Sequence, residues 1–237
     1  KSVEVPIYSA VSAAAVNEAT DLSNTAINPT SVTITASENG IMTTLTDLGR
    51  NASPRNVSAD IGRLFGEAIA KKIDTDLIAL FDGFSTAVGA ADAALTVAKL
   101  FESVANLRNS AVPMTDVSCV LHPMIAYDLK ANLTNTFANA NANDLANEAL
   151  RNGFVGRVAG VPIFETSNIS NTGTTGDYKN GVFHRDALGL AMMQDLKIET
   201  QRDASLRADE IVATAVYGVG ELQDAYGIEL IADSSIQ

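Results

Sequence analysis

Tryptophan is absent from this 237-residue chain, cysteine occurs once, histidine twice, and aromatic residues make up only 5% of the whole. Each shortage closes off a class of function. A single cysteine, Cys119, excludes an intrachain disulfide and fits a reducing compartment. It stands in "DVSCVLHP", which reads as a strand, so a buried small thiol is the expectation rather than a nucleophile. Zinc needs three or four ligands; with His122, His184 and Cys119 as the only nitrogen and sulfur donors, and with no H-E-x-x-H or C-x-x-C spacing, no metal site is expected. Basic residues are also few. The 16 Lys and Arg stand against 28 Asp and Glu, a net charge of -12, which argues against a duplex-binding domain because phosphate contacts carry most non-specific affinity. No apolar run approaches the roughly 20 residues that span a bilayer, and no signal peptide opens the chain, so it reads as soluble.

Cofactor and nucleophile motifs are missing as well. "GFVGRVAG" carries Gly153, Gly156 and Gly160 without the G-x-G-x-x-G order, follows a polar helix rather than a strand, and supplies no phosphate cradle. No G-x-S-x-G elbow occurs. Asp74 with Asp76, and Asp209 with Glu210, read as exposed charges with nothing to bury them and raise a pKa. Gly218 and Gly220 in "VYGVGEL" read as sites of close backbone approach. No cofactor is expected.

What the chain does hold is alanine, small residues and 46% apolar content, enough for one compact unit with a subdomain. The first 50 residues are Thr- and Ser-rich and mostly extended. Val32, Ile34 and Ala36 alternate, Asn39-Gly40 reads as a hairpin turn, and Ile41 and Met42 resume the strand. Such a hairpin has little core of its own and needs something to lie against. Next comes the strongest helix, in "SADIGRLFGEAIAKKIDTDLIALFDGF". Ile61, Leu64, Phe65, Ala68, Ile69, Ile73, Leu77, Leu80 and Phe81 recur at helical spacing, Ser58 can cap the start and Gly83 the end, and the length is about 22–25 residues. A Gly/Ala-rich link, "GFSTAVGAADAAL", leads to a helix near "TVAKLFESVANLRNS", then a strand, a turn at His122-Pro123, and another helix. The Asn-rich run "TNTFANANANDLANEAL" reads as a loop or weak helix; strands follow. The fold class is α+β with an interrupted sheet, without a βαβ train or a repeat.

Two charged groups invite a chemical reading. "FHRD" sets His184, Arg185 and Asp186 in an apolar run, and "ETQRDASLRADE" packs Glu199, Arg202, Asp203, Arg207, Asp209 and Glu210 with alternating sign. With Arg157, these are the candidate intersubunit or structural ion-pair residues. On a lone globule the second group is a solvated edge worth little per pair; at a repeated contact it sets register.

"GRVAGVPIFETSNI", "GVFHRDALGLAMMQDLKIETQRDASLRADEIVATAVYGVGELQDAYGIELI" and "GEAIAKKIDTDLIALFDGF" together resemble the major capsid protein of tailed bacteriophages, whose coat fold is shared with herpesvirus and encapsulin shells. The likeness covers most of Ser58 to Ile231. It implies a peripheral domain carrying a long spine helix, an axial domain, and an extended N-terminal hairpin that reaches over a neighbouring subunit. On that plan residues 1–50 are the hairpin, 51–86 the peripheral domain with its spine, 87–194 the axial domain, and 195–237 the return to the peripheral domain. The resemblance further implies hexamers and pentamers of an icosahedral head enclosing double-stranded DNA. Partners would be the chain itself with portal, scaffolding and cement proteins, and assembly would occur in the host cytoplasm. No catalytic residue is implied. A lysine-asparagine cross-link, known in some relatives, is not expected, because Val3–Leu48 contains no lysine. Other readings are a cellular encapsulin-like shell holding enzyme cargo, a soluble hydrolase using His184 and Asp186, and an adhesin built on the Thr-rich strands.

Overall fold

A long amphipathic helix laid on an alternating strand organises one half of the molecule. The structure is a computed structural model, and it describes residues 1–8, 11–13, 15–18, 21, 24, 26–52, 56–137, 157–171 and 177–236. Helix α2, Val57–Ile78, presents Ile61, Phe65, Ile69 and Ile73 at four-residue spacing, one stripe along its length. Strand β10, Ala208–Glu221, presents Ile211, Ala213, Ala215, Tyr217 and Val219 at two-residue spacing. The two stripes pack together. Strands β3, Ser37–Thr46, and β9, Leu188–Asp203, flank β10 in an antiparallel sheet of order β3-β10-β9. The Tyr217 hydroxyl donates to Asp76 at 2.7 Å, tying strand to helix; burial, then Asp76, holds the phenol's pKa above its ordinary value.

The larger core lies in a six-stranded mixed sheet of order β4-β11-β8-β5-β7-β6, made by Ala87–Ala94, Gly227–Asp233, Tyr178–His184, Val117–Leu121, Val161–Glu165 and Arg157–Val158 respectively. Helices α3, Val97–Asn109, and α4, Pro123–Phe137, contribute to this core. The helix α3 buries Leu100, Val104 and Leu107, spaced four and three apart, and α4 buries Ile125, Ala126 and Leu129. Val117, Cys119 and Leu121 alternate inward from β5, so Cys119 is a core thiol whose pKa burial pushes up. His122 closes the turn after β5: its Nδ1 accepts from the Met124 amide at 3.3 Å and its ring stacks on Tyr178 at 3.8 Å.

A short 3₁₀ turn, Ala79–Gly83, follows α2 and drives Phe81 into the six-stranded core. Asp74 receives Asn168, and Asp82 receives Lys179, so the helix end is also held to the sheet by polar bonds.

Several expectations change. Asn39-Gly40 makes no turn, because both lie inside β3, opposite Ala215 and Thr214 of β10; a long partner strand outweighs the local hairpin signal. The pair outside the body sheet is therefore β1, Ser2–Ile7, with β2, Thr30–Thr35, while β3 belongs to the body. The helix cap is Asn56, whose side chain accepts from the Ala59 amide at 3.4 Å, rather than Ser58, which is inside the first turn. The Gly/Ala-rich link contains strand β4, paired in parallel with β11. Gly89 there has φ +101° and its α-carbon faces the Ile231 backbone too closely for any side chain. Of the Asn-rich run, the part through Phe137 is helical in α4; residues 138–150, with Gly153 and Gly156, lie outside the described residues.

Candidate assembly surfaces and the polar junction

The chain crosses from the six-stranded sheet to the three-stranded one between β8 and β9, and returns between β10 and β11. "FHRD" is the outgoing crossing. His184 ends β8, and Arg185–Ala187 form a 3₁₀ turn; Asp224–Tyr226 form the matching turn on the way back. The two turns are strapped together. Leu222 donates its amide to the Ala187 carbonyl at 2.8 Å and the buried His184 ring meets Tyr226 edge-on at 5.5 Å, while the Arg185 amide ties the outgoing turn to the Asp116 carbonyl before β5 at 3.2 Å. His184 Nδ1 accepts from the Asp186 amide at 3.2 Å, with the Asp186 carboxylate 3.5 Å away. Arg185 reaches Asp186 at 3.8 Å on the surface. With Nδ1 occupied as an acceptor for the backbone, His184 acts as a turn cap. His184→Ala is expected to lower folding stability by about 1–3 kcal/mol, the cost of a buried polar bond lost, as measured by urea unfolding.

On the same returning turn, Ser85 donates its amide to Asp224 at 2.7 Å and its hydroxyl to the same carboxylate. Burial pushes the nearby Glu221 carboxyl up, with the Asp224 charge adding to it. Burial raises Asp224 too, but the Ser85 bonds outweigh it and hold that group low.

At the far end of the three-stranded sheet the alternating charges meet partners that the sequence did not single out. Arg202 grips Asp47 with two bonds of 2.8 and 2.6 Å and reaches Asp209 at 3.1 Å, while Arg50 also pairs with Asp209. Asp47 and Arg50 belong to helix α1, Asp47–Ala52, so the cluster binds that short helix to β9 and β10. Asp203 accepts from the Ser205 hydroxyl and the Ser205 and Leu206 amides, shaping the β9–β10 turn in which Arg207 has φ 50°. Glu199 pairs with Lys197 at 2.6 Å. Glu210 is half-buried on β10, and Arg157 is exposed on β6.

The Arg202 bond holds Asp47 below the ordinary carboxylate range, the Arg50 and Arg202 bonds do so for Asp209, and the Ser205 hydroxyl does so for Asp203. A carboxylate whose pKa is lowered by folding stabilises the fold above its unfolded value of 3.8 and loses that contribution as pH falls through the lower folded value. The melting temperature is therefore expected to fall below about pH 4, and Arg202→Gln to be less stable at neutral pH with a shallower acid limb. Thermal unfolding followed from neutral to acid pH checks both.

A third feature is apolar. Met192 pairs with Tyr217, and Ile198 with Ala213; paired residues share a face, so both lie on the side of the sheet that carries α2. They are nevertheless exposed, as are Leu190 on β9 and Leu64 on α2. An apolar margin thus runs beside the helix, with none of the described residues covering it. Because β9 is also an edge strand, one side of its backbone is open.

Among the described residues the carboxylates close enough to share a cation are Asp92, Asp177 and Asp233. The Asp92 amide donates to the Asp177 carboxylate at 3.0 Å and the Ser234 amide to that of Asp233 at 2.7 Å, so two of the three already hold backbone amides. A cleft of about 140 Å³ between the end of α2 and the segment before β8, lined by Thr75, Asp82, Asn168 and Lys179, is small for an organic ligand.

A family model described as phage capsid protein matches residues 29–229, most of the chain, and the chain belongs to that family. Its fold is that of solved phage capsids. The capsid of Cyanophage P-SCSP1u superposes with a TM-score of 0.77 at 22% identity, over 99% of this chain and 84% of that one. A chain from Mycobacterium phage Che8 gives 0.76 at 22% identity, over 97% and 84%. An encapsulin complex from Synechococcus elongatus PCC 7942 gives 0.62 at 13% identity, over 89% and 78%. No curated protein matches the chain. The protein is accordingly a structural, self-associating component of a virion capsid.

Proposed function

We propose that this chain is the major capsid protein from which the hexamers and pentamers of an icosahedral phage head are built around double-stranded DNA. The observation that carries the reading is an incomplete surface. The β1–β2 arm has almost no core of its own, while the margin of Met192, Ile198, Leu190 and Leu64 is apolar and exposed. In a shell each deficit is relieved by a neighbouring copy.

On this reading α2 is the spine of a peripheral domain, residues 51–86 and 195–237, and residues 87–194 form the axial domain. Residues 1–50 supply the arm, with β3 as its root in the body. Exposed Arg157, Arg185, Glu199 and Arg207 serve contacts between subunits, whereas Arg202, Asp203 and Asp209 stiffen the sheet that presents them. Weak contacts repeated around five-fold and six-fold rings allow misplaced subunits to leave. Net negative charge suits a container that must not trap its genome. Portal, scaffolding and cement proteins complete the head, assembled in the host cytoplasm.

Sedimentation velocity of the 237-residue chain across protein and salt concentration tests the reading. Discrete rings or shells are expected above a threshold concentration; a species near 24.8 kDa at every concentration overturns it.

A further inference from the structure

Where the arm leaves the body, one of its large side chains is seated in the body sheet. Ile34 of β2 is only 3% exposed, although the arm around it is largely open to solvent. Its seat is made of glycine. A β-carbon on Gly189 would come within 2.9 Å of Ile34 Cδ1, one on Gly218 within 2.9 Å of Cγ2, and one on Gly220 within 2.9 Å of Cγ1. Gly218 also lies against the Thr35 carbonyl, 2.5 Å from such an atom. Gly189 of β9 and Gly220 of β10 are register partners, so the socket spans two strands of the body sheet. None of the three has a positive φ. Glycine is therefore needed here for room and not for backbone freedom.

The socket lies on the opposite face of β10 from α2, because Tyr217 and Val219, which pack toward the helix, alternate with Gly218 and Gly220. One end of β10 thus holds the helix on one side and the arm on the other. Beyond the socket, the Ala36 amide donates to the Lys1 carbonyl at 2.8 Å, closing the root of the arm. An isolated two-stranded ribbon does not fix its own direction.

We propose that Ile34 in the Gly189, Gly218 and Gly220 socket is a latch that sets the angle at which the arm leaves the body, and thereby where the arm meets a second copy of this chain. The latch is a property of one subunit. Its consequence for shell geometry rests on the capsid reading. Six residues of strand extend the arm by roughly 20 Å from its root, so a small tilt at Ile34 displaces the end by much more than itself. Arm position then controls which neighbouring surface is reached, and so the curvature the assembly adopts.

Spin labels on Glu4→Cys, in the arm, and Asp60→Cys, on α2, give the arm-to-body distance by pulsed electron resonance. The buried Cys119 does not compete for label. A single narrow distance is expected in this labelled parent. Ile34→Ala should lose it and give a broad distribution, while Val32→Ala, on the same strand but outside the socket, should keep it. Should Ile34→Ala fail to fold, Gly220→Ala leaves every arm residue unchanged and crowds the socket, and a shifted or broadened distance is expected from it. Distances superimposable on the parent in the folded socket variants would overturn the latch. In micrographs Ile34→Ala shells should spread in diameter. If the parent never assembles, the capsid reading falls while the label distances still decide the latch.

Discussion

Phe81→Ala is expected to cost about 3–5 kcal/mol of folding stability, the range for emptying an aromatic site in a packed core. That is a large part of the total for a domain of this kind, about 5–15 kcal/mol. Phe81 is 1% exposed and lies where the helix α2 hands over to the six-stranded sheet. Its ring meets Phe183 of β8 at 5.1 Å and Phe84 at 6.2 Å. It also sits directly over Gly181, where a β-carbon would come within 2.8 Å of the ring. Gly181→Ala should therefore be destabilising by itself, through overpacking. In Phe81→Ala the space exists, so the second substitution should cost less. A double-mutant cycle by urea unfolding is expected to show this coupling. Additive costs would mean that Phe81 does not hold the helix to the sheet in the manner described.

The second large effect concerns association rather than folding. Met192→Glu with Ile198→Glu should leave the free energy of unfolding within about 1 kcal/mol of the parent, because both side chains are exposed in the single subunit. Assembly should be lost. If a neighbouring copy covers this margin, each subunit must bury two carboxylates without partners, and an unpaired buried charge costs about 3–5 kcal/mol. At 1.4 kcal/mol per tenfold, the threshold concentration should rise at least about a hundredfold. Light scattering against protein concentration measures it. An unchanged threshold would remove the β9 margin from the interface.

The long helix and the sheet class were legible because their patterns are periodic. Ile61, Phe65, Ile69 and Ile73 announce α2 without reference to anything else, and the α3 and β5 segments behave likewise. The exceptions were decided at long range. Asn39-Gly40 carries a strong turn signal, yet β10, more than 170 residues away in the chain, takes both residues as ladder partners. Ala-rich "AVGAADAA" has weak strand propensity and becomes β4 only because β11 offers an edge.

For the functional residues the same division holds. "FHRD" drew notice as a polar interruption, and its place at the crossing between sheets explains the interruption. The sequence shows Arg202 and Asp209 as charges but not that Asp47 and Arg50 complete their cluster, since those stand about 155 residues earlier. Gly218 and Gly220 were legible as points of close approach; that Ile34 is what approaches was not, because a socket's occupant has no local signature. The exposed margin of β9 was hidden for a related reason. Leu190, Met192 and Ile198 look like core residues in sequence, and only the fold shows them uncovered.

The most direct test of the central claim is electron microscopy of the purified protein, with its mass measured by light scattering on the same sample. Closed shells of uniform curvature, or rings of five and six subunits, are the predicted result. A homogeneous particle of a single subunit's mass, under every condition of concentration and salt, would contradict it.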